Sequence, residues 1–267
     1  MEQTILPTVA ADLPLAPEVP VELLVNGTKL ATLMCTPLNL DDLALGHLVG
    51  RGMLADLATV LSVGACADLR QANVICGEGL LADRYGLAAV IASGCGSGGA
   101  LRTATELPPL AAAAGARVSL ELLQGYARRM FEAAELYRKT GGMHCAALLG
   151  PPLAAGGSDR ATGGEPAAER FFVVREDVGR HNAVDKVLGS GFRRAVPLTE
   201  SVILTSGRIA SDMILKAIAA GVAVIVSRSI PTSSAFELAK RAGVTIVGRI
   251  EKSKPLVYCG GQRIVPA

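Results

Sequence analysis

The chain contains no tryptophan, and aromatic side chains make up only 3% of its 267 residues. Its core must therefore be built from Ala, Val, Leu and Ile, whose modest volumes let helices and strands approach closely. Charge is also sparse, at 19%, and 26 Lys and Arg against 24 Asp and Glu leave a net +2. That balance excludes a broad nucleic-acid-binding surface, while a local basic patch stays open. Long apolar runs are missing too. The uncharged stretches 85–101 and 143–158 are broken by Gly or by Pro151-Pro152, and neither supplies the ~20 apolar residues of a membrane helix. The first residues lack a charged start followed by an apolar run, so no secretory signal is expected. None of the six Cys forms a Cys-x-x-Cys pair. Reduced thiols in a cytoplasmic protein are expected, with no disulfide scaffold. A composition that is 50% hydrophobic excludes a disordered chain.

Residues 1–19 mix Pro and acidic residues without periodicity and read as a flexible tail. Two strands, 21–25 and 29–34, flank Asn26-Gly27, a hairpin signal. Asn39 is placed to cap a helix carrying Leu40, Leu43, Ala44, His47 and Leu48 on one face. Short strands should follow over 60–93. Residues 107–116, rich in Pro and Ala, mark a boundary between a smaller α+β domain (20–116) and an α/β domain (117–267). In the latter, Ser119 should cap a long helix ending near Lys139, before Gly141-Gly142. Strands are expected at 145–149, 171–175, 202–205, 222–226 and 244–247, with helices at 181–188, 211–220 and 233–242. Such alternation predicts parallel crossovers.

Three segments could carry chemistry. Leu87–Ala92 reads as a buried strand leading into Ser93-Gly94-Cys95-Gly96-Ser97-Gly98-Gly99. Cys95 there is either a nucleophile whose thiolate is favoured by surrounding N–H groups, or an incidental residue in a turn. Gly94, Gly96 and Gly99 fit a dinucleotide fingerprint, but the helix and the acid about 20 residues on that it requires are missing. The second segment, Arg175-Glu176-Asp177-Val178-Gly179-Arg180-His181-Asn182, is either a network around an anionic ligand or a helix start with surface ion pairs. The third, Thr205-Ser206-Gly207-Arg208, ends a strand with groups suited to phosphate. The next two strands end in Arg228 and in Arg249–Lys254, which should bring Arg208, Arg228 and Arg249 to one edge. His144, after Gly141-Gly142-Met143, reads as structural.

Together these motifs resemble the formate dehydrogenase accessory proteins, the FdhD/NarQ sulfur carriers. The resemblance rests on Thr36-Pro37 and Leu43-Ala44-Leu45-Gly46, on Thr140-Gly141-Gly142-Met143-His144, and on Glu176–Lys186. Segments 206–221 and 243–248 and Pro231-Thr232 extend it, so that it covers about residues 21 to 260. It implies a cytidine deaminase-like three-layer α/β/α sandwich with a mixed sheet, preceded by a smaller β-rich α+β domain. It also implies a sulfurtransferase that passes persulfide sulfur from a cysteine desulfurase to the molybdenum bis-pyranopterin guanine dinucleotide cofactor of formate dehydrogenase. Cys95 would carry the sulfur. Arg180, His181, Ser206, Gly207, Arg208 and the loop Arg249, Ile250, Glu251, Lys252, Ser253 and Lys254 would bind the cofactor, with GDP or GMP as surrogates. A homodimer is expected, and neither nucleic acid nor membrane as a partner.

The family's loop usually holds Cys-x-x-Cys, whereas Gly98 stands at the second position here. One thiolate suffices to carry one sulfur, but a non-catalytic cofactor chaperone is the alternative. Deaminase chemistry is not expected. His181 is followed by Asn182 and Ala183 rather than by Glu at the second place, and Ser206-Gly207-Arg208-Ile209 stands where two Cys ligands would be needed. No zinc is expected for the same reason.

Overall fold

The computed structural model describes residues 14–81, 115–152 and 169–266. The strand expected at 87–92, the Cys95 loop and most of the expected boundary segment lie outside the described residues. In the first part, β1 (Val19–Val25) and β2 (Thr28–Cys35) form the hairpin, with Asn26 and Gly27 at φ 50° and 76°. Positive φ at both positions matches the twist of the paired strands. β3 (Val60–Cys66) and β4 (Gln71–Cys76) complete a four-stranded sheet of order β2-β1-β4-β3, in which β1 and β4 are parallel. Helix α1 (Leu40–Val49) covers this sheet and is buried almost all round. Asn39 does not cap it through its side chain; it takes the left-handed conformation, φ 53°. Asp41 and Asp42 instead bring the favourable charge to the first turn.

The second part begins with β5 (Val118–Ser119) and α2 (Leu120–Ala133), capped as expected by the Ser119 hydroxyl, which accepts from Leu122 N. The single long helix predicted to Lys139 is broken at Ala134, and α3 (Glu135–Thr140) starts anew. The cause is a distant carboxylate. Glu176 accepts from the N–H groups of Leu136 and Tyr137, at 3.2 and 2.6 Å, and so provides the cap that Ala134 cannot. Gly141 closes α3 in the left-handed conformation.

The main sheet comprises β6 (His144–Pro152), β7 (Arg170–Asp177), β8 (Val202–Thr205), β9 (Val224–Ser227), β10 (Thr245–Gly248) and β11 (Leu256–Cys259). Its order is β11-β10-β9-β8-β6-β7. Parallel crossovers join β8, β9 and β10 through α5 (Ser211–Ala219) and α6 (Ser233–Ala242). The purely parallel pattern ends there: β6 is antiparallel to both β7 and β8, and β11 to β10. A short β12 (Ile264–Val265) pairs with β5. Alternate residues divide the two faces. Ala146, Leu148, Ile203, Ile225 and Ile246 pack toward α5, α6 and α4 (Arg180–Arg193). Cys145, Ala147, Leu149, Leu204 and Val226 pack toward α2. The chain is thus a three-layer α/β/α sandwich with a mixed sheet, preceded by a smaller β-rich part. No described helix is long and apolar enough to cross a membrane.

Helix α4 runs past its expected end at Leu188 because its glycines serve packing. A methyl group on Gly189 would fall 1.9 Å from the Asp42 carbonyl oxygen, and one on Gly46 1.7 Å from that of Asp185. Backbones of α1 and α4 therefore touch. Around the crossing, Arg175 holds Asp42 at 2.8 Å, and Asp185 is held by Lys216 at 2.6 Å and by His47 at 3.2 Å.

Candidate functional site

Strands β8, β9 and β10 run parallel, so their carboxyl ends share one edge, where ligands of open α/β sheets bind. Because β6 runs the other way beside β8, its first residue, His144, arrives at the same edge. Ser206 joins the two strands: its N–H donates to Cys145 O at 2.9 Å, and its hydroxyl accepts from Cys145 N at 3.0 Å. His144 Nδ1 lies 3.3 Å from that hydroxyl. Burial pushes the His144 pKa below its ordinary value, and the charges of Arg180 and His181 push it further down. Asp177 acts in the opposite direction.

Gly207 follows. A methyl group there would meet Arg180 Cβ at 2.9 Å, so the absence of a side chain is what lets Arg180 cross the strand end. The Gly207 N–H donates to Thr205 Oγ1, and its carbonyl accepts from Ser227 Oγ at 2.6 Å. His181 stands one residue into α4, with Nε2 2.8 Å from Asp212 Oδ2 in the first turn of α5. Burial pushes the Asp212 carboxyl up, but the hydrogen bond and charge of His181, with the Met213 N–H, hold it below the usual carboxylate range. Arg208 projects into solvent.

The third strand end is the loop after β10. Arg249 takes φ 53° and its N–H donates to Ser229 O at 3.0 Å. Ile250 is 2% exposed and anchors the loop in the core, while its N–H donates to Ser227 O. Glu251, Lys252, Ser253 and Lys254 are exposed. Arg228 does not stand free beside Arg208 and Arg249. Its Nε lies 2.6 Å from Glu251 Oε2, its Nη1 donates to the Tyr137 hydroxyl, and its guanidinium lies over the Phe131 ring. Glu251, expected at the ligand, is in this way neutralised by Arg228.

The polar segment 175–182 is mostly turned inward. Arg175 goes to Asp42 and Glu176 to the start of α3. Asp177 is fully buried. It accepts from Thr36 N, Gly179 N and Asn182 Nδ2, and pairs with Lys186 at 2.6 Å. Only Arg180 and His181 of that segment reach the strand ends. The motif therefore ties the Thr36-Pro37 turn to α4, and a density of polar types alone could not separate this internal role from ligand contact.

Sequence reasoning reads His144 as structural and does not foresee its place at the strand ends, which follows from the antiparallel β6. Nothing in the sequence marks Gln124, whose amide donates to the carbonyls of Ile250 and Lys252 at 3.2 and 3.0 Å. Among the described residues, no three His, Cys, Asp or Glu gather in metal-ligand geometry. His144, Ser206 and Gly207 thus stand at the carboxyl edge with Arg180 crossing it, while Lys252 and Lys254 are exposed on the loop that follows β10.

The fold is that of an α/β protein in which the carboxyl ends of three parallel strands meet at one edge, beside His144, Ser206 and Gly207. The sequence profile of the FdhD/NarQ family matches residues 16–265, and the chain belongs to that family. The sulfur carrier protein FdhD of Staphylococcus aureus strain JH9 is 33% identical over 252 residues, 93% of this chain and 88% of its own length. The protein of strain Newman matches to the same extent. A crystal structure described as that of a formate dehydrogenase accessory protein from Desulfotalea psychrophila has a TM-score of 0.70 and 25% identity, over 94% of this chain and 90% of its own.

Proposed function

We propose that this protein is a cytoplasmic sulfur carrier for formate dehydrogenase, acting on the molybdenum bis-pyranopterin guanine dinucleotide cofactor as its cargo. Cys95 thiolate attacks the outer sulfur of a cysteine desulfurase persulfide; the desulfurase cysteine leaves as thiolate, and Cys95 becomes the persulfide. The guanine nucleotide arms of the cargo lie along the strand ends, held by Arg180, His181, Ser206, Gly207 and Arg208 on one side and by the Arg249–Lys254 loop on the other. Two such arms suit a homodimer. The observation that carries this reading is the convergence of His144, Arg180, Ser206 and the Lys252–Lys254 loop on one sheet edge, in a chain of this family. Intact mass after incubation with a desulfurase and cysteine tests it, with Cys95→Ala as control. A gain of one sulfur that the control lacks is expected. Gly98, in place of the family's second loop cysteine, favours a second reading, a chaperone that binds the cofactor without carrying sulfur. Equal masses with and without the desulfurase would select that one.

A further inference from the structure

The amide of Gln124, on α2, donates to two carbonyls of one exposed loop, those of Ile250 and Lys252. A trans peptide unit points its N–H opposite to its carbonyl. Holding these two oxygens toward α2 therefore turns the N–H groups of Glu251 and Ser253, both exposed residues, away from α2. The loop is fixed at further points. Lys252 N donates to Arg249 O, closing a turn, and the Ile250 side chain is buried beneath it. The Glu251 carboxylate, which would repel an anion, is drawn aside by Arg228. Lys252 and Lys254 stay exposed on the same loop. Backbone N–H groups presented side by side, flanked by ammonium groups, form a concavity for an anion.

We infer that Gln124 is the positioning residue that makes the 250–253 backbone a binding site for a phosphate group of a nucleotide diphosphate. This deepens the proposed nucleotide role of the loop and rests on it. Gln124 touches no ligand in this scheme; it acts by orienting two peptide planes. Its contribution is specific to the phosphate and absent for the base and ribose, a separation that a general loosening of the loop would not produce.

The test is calorimetric titration of the full chain with GDP and, separately, with guanosine, in the wild type and in Gln124→Met, which keeps the length of the side chain and removes both donated bonds. The expected result is GDP binding weakened by about tenfold, guanosine binding unchanged, and the same melting temperature. Amide resonances of Glu251 and Ser253 should shift on adding GDP to the wild type and shift less in the variant. Unchanged GDP affinity in Gln124→Met would overturn the inference while leaving the nucleotide reading intact. Equal weakening for GDP and guanosine would overturn it by making Gln124 a structural support only. No GDP binding by the wild type would remove the nucleotide reading itself, and the inference with it.

Discussion

Replacing Lys216 by Met removes the cation from a buried group of three: His47 on α1, Asp185 on α4 and Lys216 on α5. Lys216 holds both carboxylate oxygens of Asp185, at 2.6 and 2.9 Å, and Asp185 is 1% exposed. Stranding such a carboxylate costs about 3–5 kcal/mol, a large part of a domain's total stability. The pH dependence identifies the mechanism. In the wild type, burial pushes the His47 pKa below its ordinary value, and Lys216 and Arg51 push it further, against the pull of Asp185. Folded protein then binds fewer protons than unfolded protein at mildly acid pH, so this contribution is complete above the unfolded pKa of about 6.5 and is lost as pH falls through the folded value. Without Lys216, Asp185 faces only His47, whose affinity for a proton rises. The cost of the substitution should therefore shrink as pH falls from about 8 to about 6, by at most about 1.4 kcal/mol per pH unit. Urea titrations of both proteins at half-unit pH intervals measure this difference. A cost below about 1 kcal/mol, or one flat across that range, would refute the reasoning.

Gly189→Ala should cost about 3 kcal/mol or more, because the new methyl group would fall 1.9 Å from a backbone oxygen of α1 that cannot move aside alone; denaturant midpoints check it. Limiting iodoacetamide at neutral pH should label Cys95 before Cys35 and Cys145, whose thiols burial pushes up to about 12, and peptide mapping reads the order. Lys252→Ala with Lys254→Ala should weaken GDP binding by about 1–3 kcal/mol, the loss of charge-assisted bonds, as seen by calorimetry. Cys95→Ser should abolish activation of the client formate dehydrogenase and leave GDP affinity unchanged, because serine forms no stable persulfide.

Most elements could be read from local chemistry. The Asn26-Gly27 hairpin, the Ser119 and Gly141 helix ends, the 202–205 strand and the 233–242 helix all depend on residues adjacent in sequence. What escaped depends on contacts at long range. The break at Ala134 needs Glu176, forty residues away in sequence from Leu136. The reversal of β6 has no local signature, since its run of buried residues fits either direction. With that reversal hidden, the meeting of His144 with Ser206 was invisible. Arg228 was legible as a strand-end cation, but not its capture by Glu251 and Tyr137. The partition of segment 175–186 into inward and edge-facing residues was hidden for the same reason, because it is set by Thr36 and Asp42 from the first part of the chain.

The crossing of α1 and α4 has a bearing on how damage far from the strand ends would show itself. α4 lends its glycine face to α1 and its first two residues, Arg180 and His181, to the carboxyl edge of the parallel strands, where nucleotide is proposed to bind. A molecule in which the four-stranded sheet has come apart loses the surface on which α4 rests, and its first turn loses registry with Gly207 and Asp212. Substitutions in the β1–β2 hairpin would then act as a dial on headcount: titrations would show fewer binding sites per mole of chain, while each surviving site keeps its native dissociation constant.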